Sequence, residues 1–302
     1  HWDLPQSLQD LGGWTNRVMA EYFEDYAKVL FTNFGDRVKK WITINEPTSI
    51  VFGYSLPLSM APNVLTPGHG QYLAMHTILL SHARAYRLYD REFRETQQGK
   101  IAIAPSLTWI TPLTNTEEDN DAAERALQFS IGWILHPIYN RDGDYPPLIK
   151  EWVEKKSVKE AYYRSRLPSF TQEEIQMLKG SVDFLGINHF TTFQASNTFE
   201  GKKMPYLKDA DVELSQLPAW PCGAATWNKM VPWGLRKLLN WIAREYANPL
   251  VLITENGYSD NGQLEDVDRI RFINSYLNEM MKAIYEDGCN VFGYTAWSLM
   301  DN

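Results

Sequence analysis

Two glutamates in this sequence stand where carboxylates can do covalent chemistry. Glu46 comes just after the run Lys40-Trp41-Ile42-Thr43-Ile44, and Glu255 just after Leu250-Val251-Leu252-Ile253-Thr254. Both runs read as short buried strands. Cleavage of a glycosidic bond needs such a pair. One carboxyl protonates the leaving oxygen and the other attacks the anomeric carbon, at a separation of about 5 Å in retaining enzymes. The two glutamates are 209 residues apart, so only a fold that gathers strand ends can bring them together. Taken singly, a glutamate at a strand end opens a solvated loop more often than it does chemistry.

The elements that must position them alternate. Three further strands are expected: Lys100-Ile101-Ala102-Ile103-Ala104, the run from Val182 to Ile187, and the run from Val291 to Trp297. Between the strands, apolar residues recur at helical spacing from Arg17 to Phe34, Gln71 to Phe93, Ala122 to Leu135, Gly234 to Tyr246 and Asp266 to Tyr285. Strands that alternate with long helices mean parallel βα units. The stretches from Ser55 to Gly70 and from Thr192 to Trp233 read as long loops. Five such units fit a doubly wound sheet or part of a (β/α)8 barrel. Asn45 with Glu46, Asn188 with His189, Glu255 with Asn256, and Trp297 all sit at strand ends, which matches how barrel active sites are built. No Gly-rich phosphate loop follows any strand.

Composition narrows the field further. The chain has 302 residues and a net charge of −8, a balance that argues against nucleic acid and anionic membranes as partners. No run approaches the roughly 18 apolar residues of a membrane span. There are 11 Trp, 16 Tyr and 13 Phe; most must fill the core, but flat rings also suit the apolar faces of sugars. Cys222 and Cys289 either pair or remain free thiols. No Asn-x-Ser/Thr acceptor occurs. His69, His76, His82 and His136 lack metal-ligand spacing and read as packing residues, so no metal site is expected. No Gly-x-Ser-x-Gly element supports a serine hydrolase.

Thr43-Ile44-Asn45-Glu46-Pro47 and Ile253-Thr254-Glu255-Asn256-Gly257, in this order, resemble the two signature motifs of glycoside hydrolase family 1. His1-Trp2-Asp3-Leu4-Pro5-Gln6 resembles that family's sugar-binding motif at the end of the third barrel strand. The stretch from Val182 to Thr192 resembles its sixth-strand motif, and Trp297-Ser298-Leu299-Met300-Asp301-Asn302 its eighth-strand motif. The resemblance spans the whole chain. It implies an α/β fold, a partial (β/α)8 TIM barrel made of strands 4–8 plus the tip of strand 3.

The resemblance also implies roles. Glu46 would be the general acid and then the base, and Glu255 the nucleophile. His1 would bind a glycone hydroxyl, Trp2 line the same pocket, Asn45 hold the sugar 2-hydroxyl, and Asn188 support the nucleophile. Trp297 would stack beneath the glycone. Trp227 would be a platform for the aglycone, the alternative being a loop Trp packed on the core. The implied substrate is a small β-glucoside or relative, with no cofactor. A thioglucosidase of the myrosinase type, and a weakly active or non-catalytic sugar binder, are the other readings. Plant-type thioglucosidases replace the acid/base Glu, whereas Glu46 is present here. Ser165 to Thr171 and Ala83 to Tyr86 resemble animal members, which makes a secreted location the expectation.

Two departures from the family pattern stand out. Where the family usually has a Tyr whose hydroxyl bonds the nucleophile, this chain has Phe190. A hydrogen bond to a charged group is worth about 1.5–3 kcal/mol, so slower glycosylation is expected, not inactivity. The first two barrel strands, and the Glu-Trp pair that usually follows the position of Asn302, have no counterpart. Residues 1–302 are therefore expected to be one incomplete catalytic domain, inactive and poorly soluble alone, with unpaired strand edges. The sequence is silent on oligomeric state.

Overall fold

The computed structural model describes residues 4–56, 60–198 and 205–300. His1 and Trp2 lie outside them. The chain divides into two compact units. The first takes in the described residues of His1–Pro105, Ile131–Phe184 and Met204–Ala210; the second those of Ser106–Ser130, Leu185–Lys203 and Asp211–Asn302.

In the first unit, strands β1 (Lys40–Asn45) and β2 (Lys100–Ala104) pair in parallel. The register slips between Ile42 and Asn45. Helix α1 (Met19–Phe34) buries Met19, Ala20, Phe23, Ala27 and Phe31, one face at three- and four-residue spacing. The Phe31 ring meets Trp41, Tyr89 and Phe93 edge-on at centroid distances of 5.1, 4.9 and 5.7 Å, which ties helix to strand. A short helix α2 (Pro47–Phe52) follows β1 directly. Helix α3 (Gly70–Glu92) is buried around most of its circumference. Asp183 accepts from Ile101 N at 2.8 Å and pairs with Arg94 at 3.0 Å, anchoring the entry to the next strand.

In the second unit, strands β3 (Trp109–Pro112) and β5 (Thr192–Ser196) pair in parallel, and β5 pairs antiparallel with β6 (Glu213–Ser215). Strand β4 (Phe184–Asn188, whose first residue belongs to the first unit) runs parallel to β7 (Val251–Asn256), and β7 parallel to β8 (Val291–Ala296). Helix α4 (Glu117–Leu127) is followed in the chain by α5 (Trp133–Tyr139), α6 (Pro147–Lys159) and α7 (Gln172–Leu178), which lie in the first unit. Helices α8 (Pro232–Glu245) and α9 (Val267–Tyr285) belong to the second. They present Leu238 and Trp241, and Phe272 and Tyr276, as buried faces.

All five expected strands are present within two residues of their expected bounds. Three differences have physical causes. The helix expected from Ala122 to Leu135 is interrupted by a π-helical segment, Gln128–Gly132, where the bonding widens by one residue per turn. The stretch from Thr192 to Trp233 holds β5 and β6, strands too short and too polar to register as apolar runs. Finally, among the described residues only strand β4 is buried along its whole length. Ile42 on β1 is 40% exposed and Phe292 on β8 41% exposed. Among the described residues β1 pairs with β2 alone and β8 with β7 alone.

Candidate active site

In the first unit, Asn45 ends β1 and Glu46 follows it. The Glu46 N–H donates to the Ala104 carbonyl at 2.8 Å, which extends the β1–β2 ladder by one residue. Glu46 then turns left-handed, with φ 47° and ψ 61°. Pro47 disfavours the right-handed helical region for the residue before it and itself opens α2. A left-handed non-glycine residue costs about 1–3 kcal/mol and persists only where its surroundings enforce it; such residues cluster at functional sites. Ser49 Oγ donates to Glu46 Oε2 at 2.8 Å.

In the second unit, Glu255 lies near the end of β7, in register with Asn188 on β4. The pairing slips there too, between Ile187 and Asn188, and β7 slips against β8 between Ile253 and Asn256. Irregular pairing re-aims side chains at strand ends. Three of the four slips in these pairings thus fall beside expected site residues; the fourth lies between Val251 and Leu252. A web of bonds holds this end of the sheet. His189 N donates to the Glu255 carbonyl at 2.9 Å. Thr254 Oγ1 donates to Asn188 Oδ1 at 2.5 Å, Asn256 Nδ2 to the His189 carbonyl at 2.6 Å, and the Tyr294 hydroxyl to Asn256 Oδ1 at 2.9 Å. His189 is wholly buried, and its Nδ1–H donates to the Leu107 carbonyl at 2.8 Å. Burial pushes its pKa down to about 4, so the imidazole is neutral across the physiological range and serves as a spacer and donor.

A cavity of about 500 Å³ opens in this unit, its walls including Phe190, Trp227, Tyr258, Arg269 and Trp297. Trp227 is 53% exposed and Trp297 39% exposed. The alternative of a core-packed Trp227 is therefore not what the structure shows. The Phe190 ring meets Trp227 edge-on at 6.1 Å. The Trp227 carbonyl accepts from Gln216 Nε2 at 3.0 Å, and Asn228 Nδ2 donates to the Gly257 carbonyl at 3.1 Å, so the loop that carries Trp227 is tied to the turn after β7. Arg269 is ion-paired with both Asp260 and Asp266.

The structure thus groups Asn45 with Glu46, and Asn188 with Glu255; Trp227 and Trp297 share one cavity wall. Asn256 was among the strand-end polar residues the sequence pointed to, whereas Thr254, Tyr294 and Asn228 were not. Thr254 had a signal in lying next to Glu255; Tyr294 and Asn228 had none. His69, His76 and His82 pack against neighbouring side chains. His76 stacks on Phe170 at 4.3 Å, His69 on Tyr162 at 5.5 Å, and His82 Nδ1 meets Thr43 Oγ1 at 2.7 Å. Burial pushes His76 down to about 3 and His82 to about 4. No group of three His, Cys, Asp or Glu suited to a metal ion occurs among the described residues. Cys222 and Cys289 are free thiols. No helix among the described residues is long and apolar enough to cross a membrane.

The sequence matches the model of Glycosyl hydrolase family 1 over residues 1–302. The chain belongs to this family. It is 51% identical to Myrosinase 1 of Brevicoryne brassicae, over all of this chain and 65% of that protein. It is 41% identical to a cytosolic beta-glucosidase of Cavia porcellus, again over all of this chain and 65% of the other. Among solved structures, an aphid myrosinase superposes with a TM-score of 0.95 at 50% identity, covering all of this chain and 65% of that one. A rice Os3BGlu6 beta-glucosidase gives 0.89 at 35% identity, covering all of this chain and 66% of that one. This member of Glycosyl hydrolase family 1 therefore spans just under two thirds of those relatives. Its parallel-sheet α/β fold covers part of the (β/α)8 TIM barrel.

Proposed function

We propose that this chain carries the catalytic carboxylates of a retaining β-glycosidase acting on β-glucosides and related β-glycosides. The observation behind the reading is the placement of two glutamates, each within or just after the C-terminal end of a parallel strand and each beside a slip in register. Glu46 donates a proton to the leaving oxygen while Glu255 forms a bond to the anomeric carbon. Water then attacks the glycosyl-enzyme, giving its proton to Glu46, and Glu255 leaves. Asn45 holds the sugar 2-hydroxyl and Asn188 supports the nucleophile. Trp297 stacks beneath the glycone and Trp227 receives the aglycone. His1 and Trp2 complete the glycone pocket. Residues 1–302 form part of a single (β/α)8 catalytic domain in this reading. A secreted location goes with it, resting on the animal-type stretches.

Trapping tests the proposal. A 2-deoxy-2-fluoro-β-glucoside with an activated leaving group slows breakdown of the glycosyl-enzyme more than it slows departure of that leaving group. Mass mapping should find one fluoroglucosyl unit on Glu255. No adduct, or an adduct elsewhere, sinks the assignment. Thioglucoside hydrolysis is a second reading, favoured by the 51% identity to a protein named Myrosinase 1. Comparing glucose release from a glucosinolate with that from an aryl glucoside decides between them.

Phe190 lines the cavity of the second unit but carries no hydroxyl. Restoring one should tighten the hold on the nucleophile. Phe190→Tyr is expected to raise kcat for aryl glucosides by up to about tenfold, part of the 1.5–3 kcal/mol a bond to a charged group supplies. An unchanged kcat removes this account of the position.

A further inference from the structure

Ser49 lies one helical turn beyond the proposed proton donor, is buried, and donates its hydroxyl proton to Glu46 Oε2 at 2.8 Å. Resting on the acid/base role proposed for Glu46, we infer that Ser49 is a positioning residue that decides which carboxyl oxygen delivers the proton. The last torsion of a glutamate is broad and close to two-fold, so nothing intrinsic to the side chain distinguishes Oε1 from Oε2 or holds the carboxyl plane. The main chain fixes the rest. Glu46 is held left-handed between its bond to Ala104 and the ring of Pro47, so the direction of its Cα–Cβ bond is set before any side-chain contact is made. Ser49 adds a constraint at the carboxyl itself. Its hydroxyl occupies Oε2, which leaves the transferable proton on Oε1.

The same bond serves both half-reactions. While Glu46 is protonated, Ser49 donates to a neutral carbonyl-like oxygen. As the glycosidic C–O bond breaks, the electron pair leaves with the aglycone oxygen, which takes the proton from Oε1. The Ser49 bond then becomes a charge-assisted one and strengthens as negative charge develops. In the second half, Oε1 accepts the proton of the attacking water with the plane still held. Losing Ser49 removes its hold on Oε2 but leaves the acid in place. The defect should therefore appear only where proton donation limits the rate.

That distinction gives a test a purely structural role would not pass. In the intact enzyme, kcat/KM reports glycosylation, and two β-glucosides isolate the proton. A 2,4-dinitrophenyl leaving group departs without one; a phenyl leaving group needs one. Ser49→Ala is expected to lower kcat/KM for the phenyl glucoside by about tenfold, a fraction of the 10²–10⁴-fold that general acid catalysis supplies, and to change that for the dinitrophenyl glucoside by less than about twofold. Ser49→Thr, which keeps the hydroxyl, should recover most of the loss. Equal losses on both substrates would mean that Ser49 only supports the fold and would overturn the inference, as would no loss on either. Glu46→Gln is the control. If it fails to discriminate between the substrates, the acid/base reading itself falls and Ser49 with it; if it discriminates and Ser49→Ala does not, the role of Ser49 alone falls.

Discussion

Glu255→Ala is expected to lower kcat/KM for aryl β-glucosides by at least about 10⁴-fold, because the variant has no group to attack the anomeric carbon in the first displacement. The protein should still fold. The bond from His189 to residue 255 ends on the main-chain carbonyl, and the neighbouring Thr254–Asn188 and Asn256–His189 bonds do not involve the Glu255 side chain. Circular dichroism should therefore show the parental secondary structure. In the proposed mechanism, truncation also leaves space at the reacting face of the sugar, with Glu46 as the acid. Added azide is expected to take the nucleophile's place and to release the α-glycosyl azide, inverted at the anomeric carbon. Nuclear magnetic resonance of the product reads the configuration. A variant that keeps a few per cent of parental activity, or a β-configured azide adduct, would remove Glu255 from the nucleophile's role.

The second large effect is on stability. Arg166→Ala is expected to destabilise the protein by about 3–5 kcal/mol, the range seen when one partner of a buried ion pair is removed. Arg166 and Asp209 are 2% and 3% exposed at their side chains, with Nη2 and Oδ1 2.8 Å apart. The guanidinium also donates to the Gly68 carbonyl at 2.8 Å, and the Tyr72 hydroxyl donates to Asp209 Oδ2 at 2.6 Å. Loss of the arginine strands the carboxylate away from water, with the Tyr72 hydroxyl among the described residues still bonded to it. Burial and that neighbouring carboxylate push the Tyr72 phenol well above its ordinary range, so it stays a donor at any working pH. Removing both charges in an Arg166→Met, Asp209→Leu pair should recover much of the loss, since an apolar replacement of similar volume is often neutral. Urea unfolding measures both variants. A loss below about 1 kcal/mol in Arg166→Ala would show that the pair is solvated.

Particular residues show how far the sequence could be read. The strand ends were legible because each couples an apolar run to an abrupt polar pair: Ile44 to Asn45-Glu46, Ile187 to Asn188-His189, Thr254 to Glu255-Asn256. That contrast is local, and it carries the parallel α/β class and the family resemblance together. The slips in register at those same ends were not legible, because they depend on which residue the neighbouring strand places opposite. Nor was the Tyr72–Asp209–Arg166 cluster, whose members are 43 and 137 residues apart in the two pairings. Burial of a charge is decided by what packs over it. Strands β5 and β6 hid for a related reason: their stability comes from pairing with each other and with β3, and Thr192-Phe193-Gln194-Ala195-Ser196 carries little sign of it. Ser49 was hidden because a serine early in a helix is ordinarily a solvated or capping residue, and only the left-handed turn at Glu46 brings the carboxyl back to it.

Gly257 sits two residues beyond Glu255, and a methyl group built on it would lie 1.8 Å from the Trp297 carbonyl oxygen and 2.8 Å from its carbon, both main-chain atoms. No rotamer change relieves such a clash. For any lineage or selection experiment exploring new substrates, positions 257 and 297 are therefore a single locus. A side chain at the first displaces the backbone that carries the ring at the second, whatever residue stands there. No residue other than glycine fits at 257 without shifting the Trp297 main chain. Libraries that randomise Trp227, Trp297 and Phe190 should yield shifted preferences, while survivors at 257 should read glycine throughout.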